Sequence, residues 1–306
     1  MKEDLLVDLE RKEHFKKWRN VSIVLFCIIL ILFLGRNNQK NNNSKLILED
    51  SIAEIKIDGI ILNDDFRNEK IQEITNNNKI KGVIIDVDSP GGVVTPSEDL
   101  YELIYNMNKI KPVVILMDGM ATSGAYMISL GADYLIAKNT TLTGSIGVLL
   151  QSYNFVGLAN KFGVDLRTFK SSELKGMPSM FEKNTKNSNV ALQSTIDDIY
   201  SYFVGLVKER RKIKSSNLIL ATNGQAFTGR QALKIGLIDE IGDINSAIKY
   251  LGTRGVRTDL PIEKISLKKK EKFDIINELT NRIFFDIRNS IDQNNINSNL
   301  LSIYKY

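Results

Sequence analysis

The chain of 306 residues carries one histidine, His14, and one cysteine, Cys27. A lone cysteine excludes a disulfide within the chain and any cysteine-based metal site. With a single histidine beside it, a zinc site built from the usual nitrogen and sulfur ligands is excluded as well. A Ser-His-Asp arrangement would have to use His14, which stands ahead of the one long apolar run. Charge of one sign is also missing as a block. The 41 Lys+Arg and 36 Asp+Glu are interspersed, the net charge is only +5, and the one short basic run is Lys268 to Lys270. No basic stripe exists that could track a phosphate backbone, so no nucleic-acid partner is expected. There is no internal repeat either, which implies one functional unit per chain.

What is present begins with the apolar run. Residues 21–34 read VSIVLFCIILILFL, fourteen residues without a charge. With Trp18 and Gly35 at the edges it reaches about eighteen residues, near the lower limit for crossing a bilayer. A cleaved signal peptide needs spaced small residues after such a run. Gly35-Arg36-Asn37-Asn38-Gln39-Lys40 offers none, so an uncleaved anchor over residues 20–35 is expected. Lys2, Arg11, Lys12, Lys16, Lys17 and Arg19 precede it, against Arg36, Lys40 and Lys45 after it. That asymmetry puts residues 1–19 in the cytoplasm and the rest outside, as a single-pass protein of a cell membrane. Residues 36–48 are Asn-rich and aperiodic, which reads as a flexible linker. A serine nucleophile outside the membrane then has no histidine to serve as its base, and lysine is the main alternative.

The folded part is expected over residues 49–258, long enough for a sizeable core. Strands are expected over residues 51–61, 82–87, 112–117, 134–137 and 166–169. The first alternates in polarity and the second and third are short apolar runs. Helices are expected over 97–107, with Leu100, Leu103, Ile104 and Met107 at helical spacing, and over 184–212, with Leu192, Ile196, Ile199, Phe203 and Leu206. Strands alternating with helices imply an α/β fold, a parallel sheet with crossover helices. Residues 259–306 read as a peripheral helix, anchored by Phe273, Ile276, Leu279, Ile283 and Phe284, and a loose tail.

Several short motifs could carry chemistry. Ser89-Pro90-Gly91-Gly92 follows a strand directly. Two glycines there free the backbone to aim N–H groups outward, toward an oxyanion, although a tight turn would look the same. Ser123 follows the strand 112–117 and opens a helix-like stretch, where unpaired N–H groups favour a developing alkoxide. An N-cap serine occupies the same kind of position. Gly144-Ser145-Ile146-Gly147 is a second such turn, and Lys175 sits in a third, where lysine is normally solvated.

The order and spacing of these pieces resemble the bacterial signal peptide peptidase A family, on the Clp protease/crotonase superfold. Asp88 to Gly92 match the family's Asp-Ser-Pro-Gly-Gly. Thr122 to Met127 match Ala-Ser-Gly-Gly-Tyr-Tyr, and Thr143 to Val148 match Thr-Gly-Ser-Ile-Gly-Val without change. Lys170 to Lys175 match Lys-Ser-Gly-x-x-Lys, and Ala232, Gly236, Leu237, Asp239 and Gly242 match the closing Ala-x-x-x-Gly-Leu-x-Asp-x-x-Gly. The resemblance implies a serine endopeptidase with Ser123 as nucleophile and Lys175, 52 positions later, as general base. It implies Ser145 as the residue orienting the lysine, Gly91 or Gly92 as oxyanion donors, and no cofactor. Free lysine has a pKa of ~10.4 and must be neutral to take a proton, so burial has to lower it. The family's short members complete their sites at subunit contacts in a ring-like homo-oligomer. The implied substrates are peptides, remnant signal peptides above all. Ala125, Met127, Ser172 and Gly176 depart from the pattern at pocket-facing positions. The alternative is a catalytically inactive, membrane-tethered scaffold that binds peptides.

Overall fold

A computed structural model describes residues 49–269, together with Trp18, Arg19 and Ser22. Among the described residues no helix is long and apolar enough to cross a membrane. Apart from Ser22, the anchor expected over 20–35 lies outside them, as does the helix expected around residues 273–284. The chain divides into two units at Leu48 and Glu49, and the architecture below belongs to the second.

In chain order the elements are β1 (Ser51–Asp58), α1 (Asp65–Asn76), β2 (Ile80–Ser89), α2 (Val94–Ile110), β3 (Val113–Thr122), α3 (Gly124–Ser129), β4 (Tyr134–Ala137) and β5 (Leu142–Gly144). They continue with α4 (Val156–Lys161), α5 (Lys186–Arg210), α6 (Ser215–Ala221), β6 (Ala226–Thr228), α7 (Gly229–Ile235), β7 (Glu240–Ile241), α8 (Ile244–Thr253) and β8 (Ile262–Ile265). The eight strands form one sheet in the order β6-β5-β3-β2-β1-β8, with β4 pairing β3 and β7.

Side chains alternate across this sheet, so residues an even number apart share a face. Ile52, Ile84, Val114 and Ile136 lie on one face and close a core with Ala247, Leu251 and Val256 beneath α8. Val83, Ile85, Val87, Val113, Ile115 and Met117 alternate to the other face and are fully buried. α2 buries the expected stripe of Leu100, Ile104 and Met107.

The sheet departs from the expected all-parallel form at one pair. β5 and β6 run antiparallel, while the other ladders are parallel. The chain between β5 and β6 is a long excursion containing α4, α5 and α6, not one crossover helix, so nothing forces a parallel return. Residues 166–169 form no strand. Leu166 and Phe169 are exposed, and apolar β-formers without a neighbouring edge to pair with do not make a strand. The edge strand β8 pairs with β1 and carries the sheet beyond residue 258.

The helix expected over 184–212 is α5. Thr185 and Ser188 cap its start reciprocally, at 3.1 and 2.9 Å. Phe203 and Leu206 are buried, whereas Leu192, Ile196 and Ile199, nearer its start, are only partly covered. At the other end Arg211 forks onto Asp239, at 2.8 and 3.0 Å, and its Nε donates to the Gly236 carbonyl. Asp239 also accepts from the Leu135 N–H, and Gly236 ends α7 at φ 89°. The Gly-Leu-x-Asp pattern is thus an anchor that ties α5, α7 and β4 together. Asp239→Ala would strand a guanidinium whose side chain is 6% exposed. We expect it to cost about 3–5 kcal/mol in a denaturant melt, the penalty for breaking a buried ion pair. A loss under about 1 kcal/mol would contradict that role, being the worth of an exposed pair.

Candidate active site

The site is assembled where β3 changes partners. Val114 to Met117 pair with β4, and Met120 to Thr122 pair with β5. On the other side Val87 faces Met117 but Ser89 faces Ala121, so β3 bulges relative to β2. The strand ends with Thr122 opposite Gly144. Ser123 and Ser145 each stand one residue beyond that pair, side by side at neighbouring strand ends.

Both serines have unusual backbones. Ser123 lies at φ 55° and Ser145 at φ 51°, and they are the only non-glycine residues at positive φ among those described. Such conformations cost of order 1–3 kcal/mol and collect at functional sites. The Ser123 N–H donates to the Gly144 carbonyl at 2.8 Å, and the Ser145 N–H to the Gln225 carbonyl at 2.9 Å. Ser123 is not an N-cap in the usual sense. Its side chain makes no capping hydrogen bond to α3, and a cap residue would be extended. The hydroxyl has no partner among the described residues and is half-buried.

The Asp88-to-Gly92 segment closes over this point. Gly91 lies at φ 97°, and a Cβ there would fall 2.7 Å from the Gly124 nitrogen and 3.1 Å from the Ser123 Cβ. A Cβ on Gly92 would fall 2.1 Å from the Ile61 carbonyl oxygen. Glycine is therefore required at both positions for close approach. Their N–H groups differ. That of Gly91 donates to the Ser89 Oγ at 3.1 Å, while that of Gly92 has no acceptor among the described residues. Sequence reasoning missed a second donor, the Gly124 N–H. It directly follows Ser123, opens α3, and so has no intrahelical acceptor. A Cβ on Gly124 would lie 3.2 Å from the Gly92 nitrogen, which places both glycines together. Thr122 steadies the closure by donating to the Pro90 carbonyl at 3.1 Å. We expect Gly92→Ala to abolish activity and to lower the melting temperature, because the methyl cannot fit without parting residues 61 and 92. Wild-type turnover in that variant would refute the packing.

Behind Ser123, α3 is wholly buried. Tyr126 donates from its hydroxyl to the Leu237 carbonyl at 2.8 Å, and burial raises its phenol far above the ordinary tyrosine range. The helix that carries the serine is thereby fixed to the Arg211–Asp239 anchor.

Lys175 stands apart. It lies in a turn over residues 172–177, its side chain is exposed, and its ammonium has no partner among the described residues. No hydrogen bond joins it to Ser123 or Ser145 within one chain. Lys170, the other lysine of that segment, is paired with Glu182. Among the described residues the buried lysine is Lys111, whose Nζ donates to the Ile74 and Asn77 carbonyls at 2.9 and 2.8 Å. Desolvation pushes it down to about 8, but it caps the end of α1 and has no hydroxyl to activate.

The segment that holds Lys175 is apolar on its outside. Leu149, Tyr153, Phe162 and Phe169 are 76%, 75%, 77% and 96% exposed. Leu158, Val164, Leu166, Met180 and Phe181 are exposed with them.

Residues 106–255 match the family model Peptidase family S49, and residues 43–151 match Clp protease. A protease-named protein of Methanocaldococcus jannaschii is 36% identical over 181 residues, 59% of this chain and 58% of that one. A protein of Enterococcus faecium named for signal peptide peptidase SppA is 32% identical over 194 residues, 63% of this chain and 56% of its own. Protease 4 of Haemophilus influenzae is 32% identical over 65% of this chain and 34% of its own. The chain thus spans less than two thirds of the length of these relatives. Among solved structures, the 1510-N membrane-bound stomatin-specific protease covers 71% of this chain and 98% of its own, at 18% identity and a TM-score of 0.46.

Proposed function

We propose that the chain, whose residues 106–255 match the model of peptidase family S49, is a membrane-anchored serine endopeptidase using Ser123 and Lys175. The observation that carries this reading is the strained, uncapped Ser123 set between a second strained serine and two free glycine N–H groups. In the proposed reaction the Ser123 hydroxyl attacks the scissile carbonyl carbon as the neutral Lys175 amine takes its proton. The oxyanion forms against the Gly92 and Gly124 N–H groups. On collapse the lysine returns the proton to the leaving amine, and water then hydrolyses the acyl-enzyme. Ser145 orients the lysine by hydrogen bond.

A neutral lysine needs a dry surrounding, and Lys175 has none within one chain. The apolar exterior of residues 149–181 is what a neighbouring copy would cover, so the working form is a ring-like homo-oligomer whose contacts bury Lys175. The substrates are apolar, membrane-derived peptides, remnant signal peptides among them. Ile60, Leu62 and Val93 support this, because they expose aliphatic side chains on the strand segments that hold Gly91 and Gly92. The anchor over residues 20–35 would keep the enzyme at the outer membrane surface, where such remnants are released. The test is hydrolysis of fluorogenic peptides by the full-length chain in detergent. Cleavage of apolar but not charged peptides is expected. No turnover by assembled protein over a wide panel would favour the peptide-binding scaffold, to which the partnerless Lys175 otherwise points.

A further inference from the structure

The change of partner along β3 delivers Ser123, and it depends on residues 118–120, which bulge out between the two ladders. On one side of the bulge Thr141 donates to the Asp118 and Met117 carbonyls and accepts from the Lys138 N–H, while the Lys138 ammonium pairs with the Asp118 carboxylate. On the other side stands Asp88. Its Oδ1 accepts from the Met120 N–H at 3.2 Å, across 32 residues of sequence. The same oxygen fills the space above Gly119, where a Cβ would meet it at 2.9 Å. The Asp88 carbonyl also accepts from the Gly59 N–H at 3.1 Å, so the residue ties β2 both to β3 and to the residue that follows β1. An aspartate before Ser-Pro-Gly usually bonds to its own turn, whereas this one reaches out of the turn to β3.

Resting on the peptidase reading, we propose that Asp88 is a positioning residue whose carboxylate locks the β3 bulge and so sets where Ser123 stands. It touches no reacting atom. It acts through the Met120 N–H, three residues before the nucleophile, and through the void that only glycine leaves at 119. It is also joined directly to Ser89, whose Oγ holds the Gly91 N–H, so one residue links the oxyanion loop to the nucleophile strand.

The experiment uses the full-length chain in detergent and measures kcat and KM on an apolar fluorogenic peptide. The variants are Asp88→Asn, Asp88→Ala, Gly119→Ala and the double variant Asp88→Ala/Gly119→Ala. Asp88→Asn keeps an acceptor oxygen and is expected to stay within about 3-fold of wild type, as a retained neutral hydrogen bond should. Asp88→Ala is expected to lose about 100-fold in kcat with KM nearly unchanged, the scale of an ångström-sized misplacement. Gly119→Ala is expected to lose a similar factor. The double variant should be no worse than Asp88→Ala alone, because the new methyl then enters vacated space. Additive losses, an Asn variant as poor as the Ala variant, or a loss confined to KM would overturn the proposal.

Hydrogen exchange at the Met120 amide is read in the same proteins. It should be slow in wild type and Asp88→Asn and fast in Asp88→Ala, and a fast wild-type amide would also overturn the proposal. That reading needs no turnover, so an inactive wild type would sink the peptidase reading without deciding this one. If Asp88→Ala fails to fold, Gly119→Ala decides: a wild-type melt with depressed kcat supports the lock, and wild-type kcat sinks it.

Discussion

Alanine at Ser123 or at Lys175 is expected to lower kcat for peptide hydrolysis by about 10⁴-fold or more, with the double variant no worse than either single one. The non-additivity follows from the chemistry. A serine hydroxyl without its base is a weak nucleophile, and a base without the hydroxyl has nothing to deprotonate. What survives in each variant is the contribution of the oxyanion donors and of binding, which is common to all three. If Lys175→Ala kept most of the activity, another base would be at work. Lys170 would not be the first candidate, because Glu182 already engages it. Lys111 would not be either, because carbonyls at the end of α1 hold it.

The second large effect concerns assembly. Phe162→Asp combined with Phe169→Asp should convert the proposed oligomer to single chains in light scattering and remove activity in the same step, by about 100-fold or more. The two rings are 77% and 96% exposed in one chain. Covering a large apolar side chain is worth roughly 1.5–3 kcal/mol, repeated at every contact of a closed ring, and a carboxylate in its place opposes burial. Neither substitution reaches the core, so melts should change little while activity falls. Dissociated chains that kept full activity would show that Lys175 does not need a neighbour. An intact oligomer with normal turnover would show that this surface is not the contact.

Much of the scaffold was legible in the sequence because local pattern and burial agree there. The apolar runs at 82–87 and 112–117 are the buried centres of β2 and β3, and the spacing of Leu100, Ile104 and Met107 is the inner face of α2. Extents were less legible. β3 continues to Thr122 because β5 pairs with its last residues, and nothing local announces a partner twenty residues further on. The same limit hides the bulge, since register is a property of two strands and not of one. Residues 166–169 show the converse. Their composition suits a strand, but no edge comes within reach, and the apolar side chains stay outside. At the site, glycine pairs and serines could be picked out as residue types. The left-handed backbone of Ser123 could not, because serine has no intrinsic preference for it and the neighbouring strand ends impose it. Lys175 was singled out only by its place in a motif, and among the described residues nothing covers it.

The two left-handed serines set stability and chemistry against one another. Glycine would sit more comfortably at either position, since it alone adopts positive φ without steric penalty. If Ser123 and Ser145 act as proposed, glycine at both points would give a sturdier but inert protein. On the proposed mechanism the two hydroxyls are what that strain serves. This also suggests how to recognise a relative that has lost the chemistry: the strain would be gone before the fold.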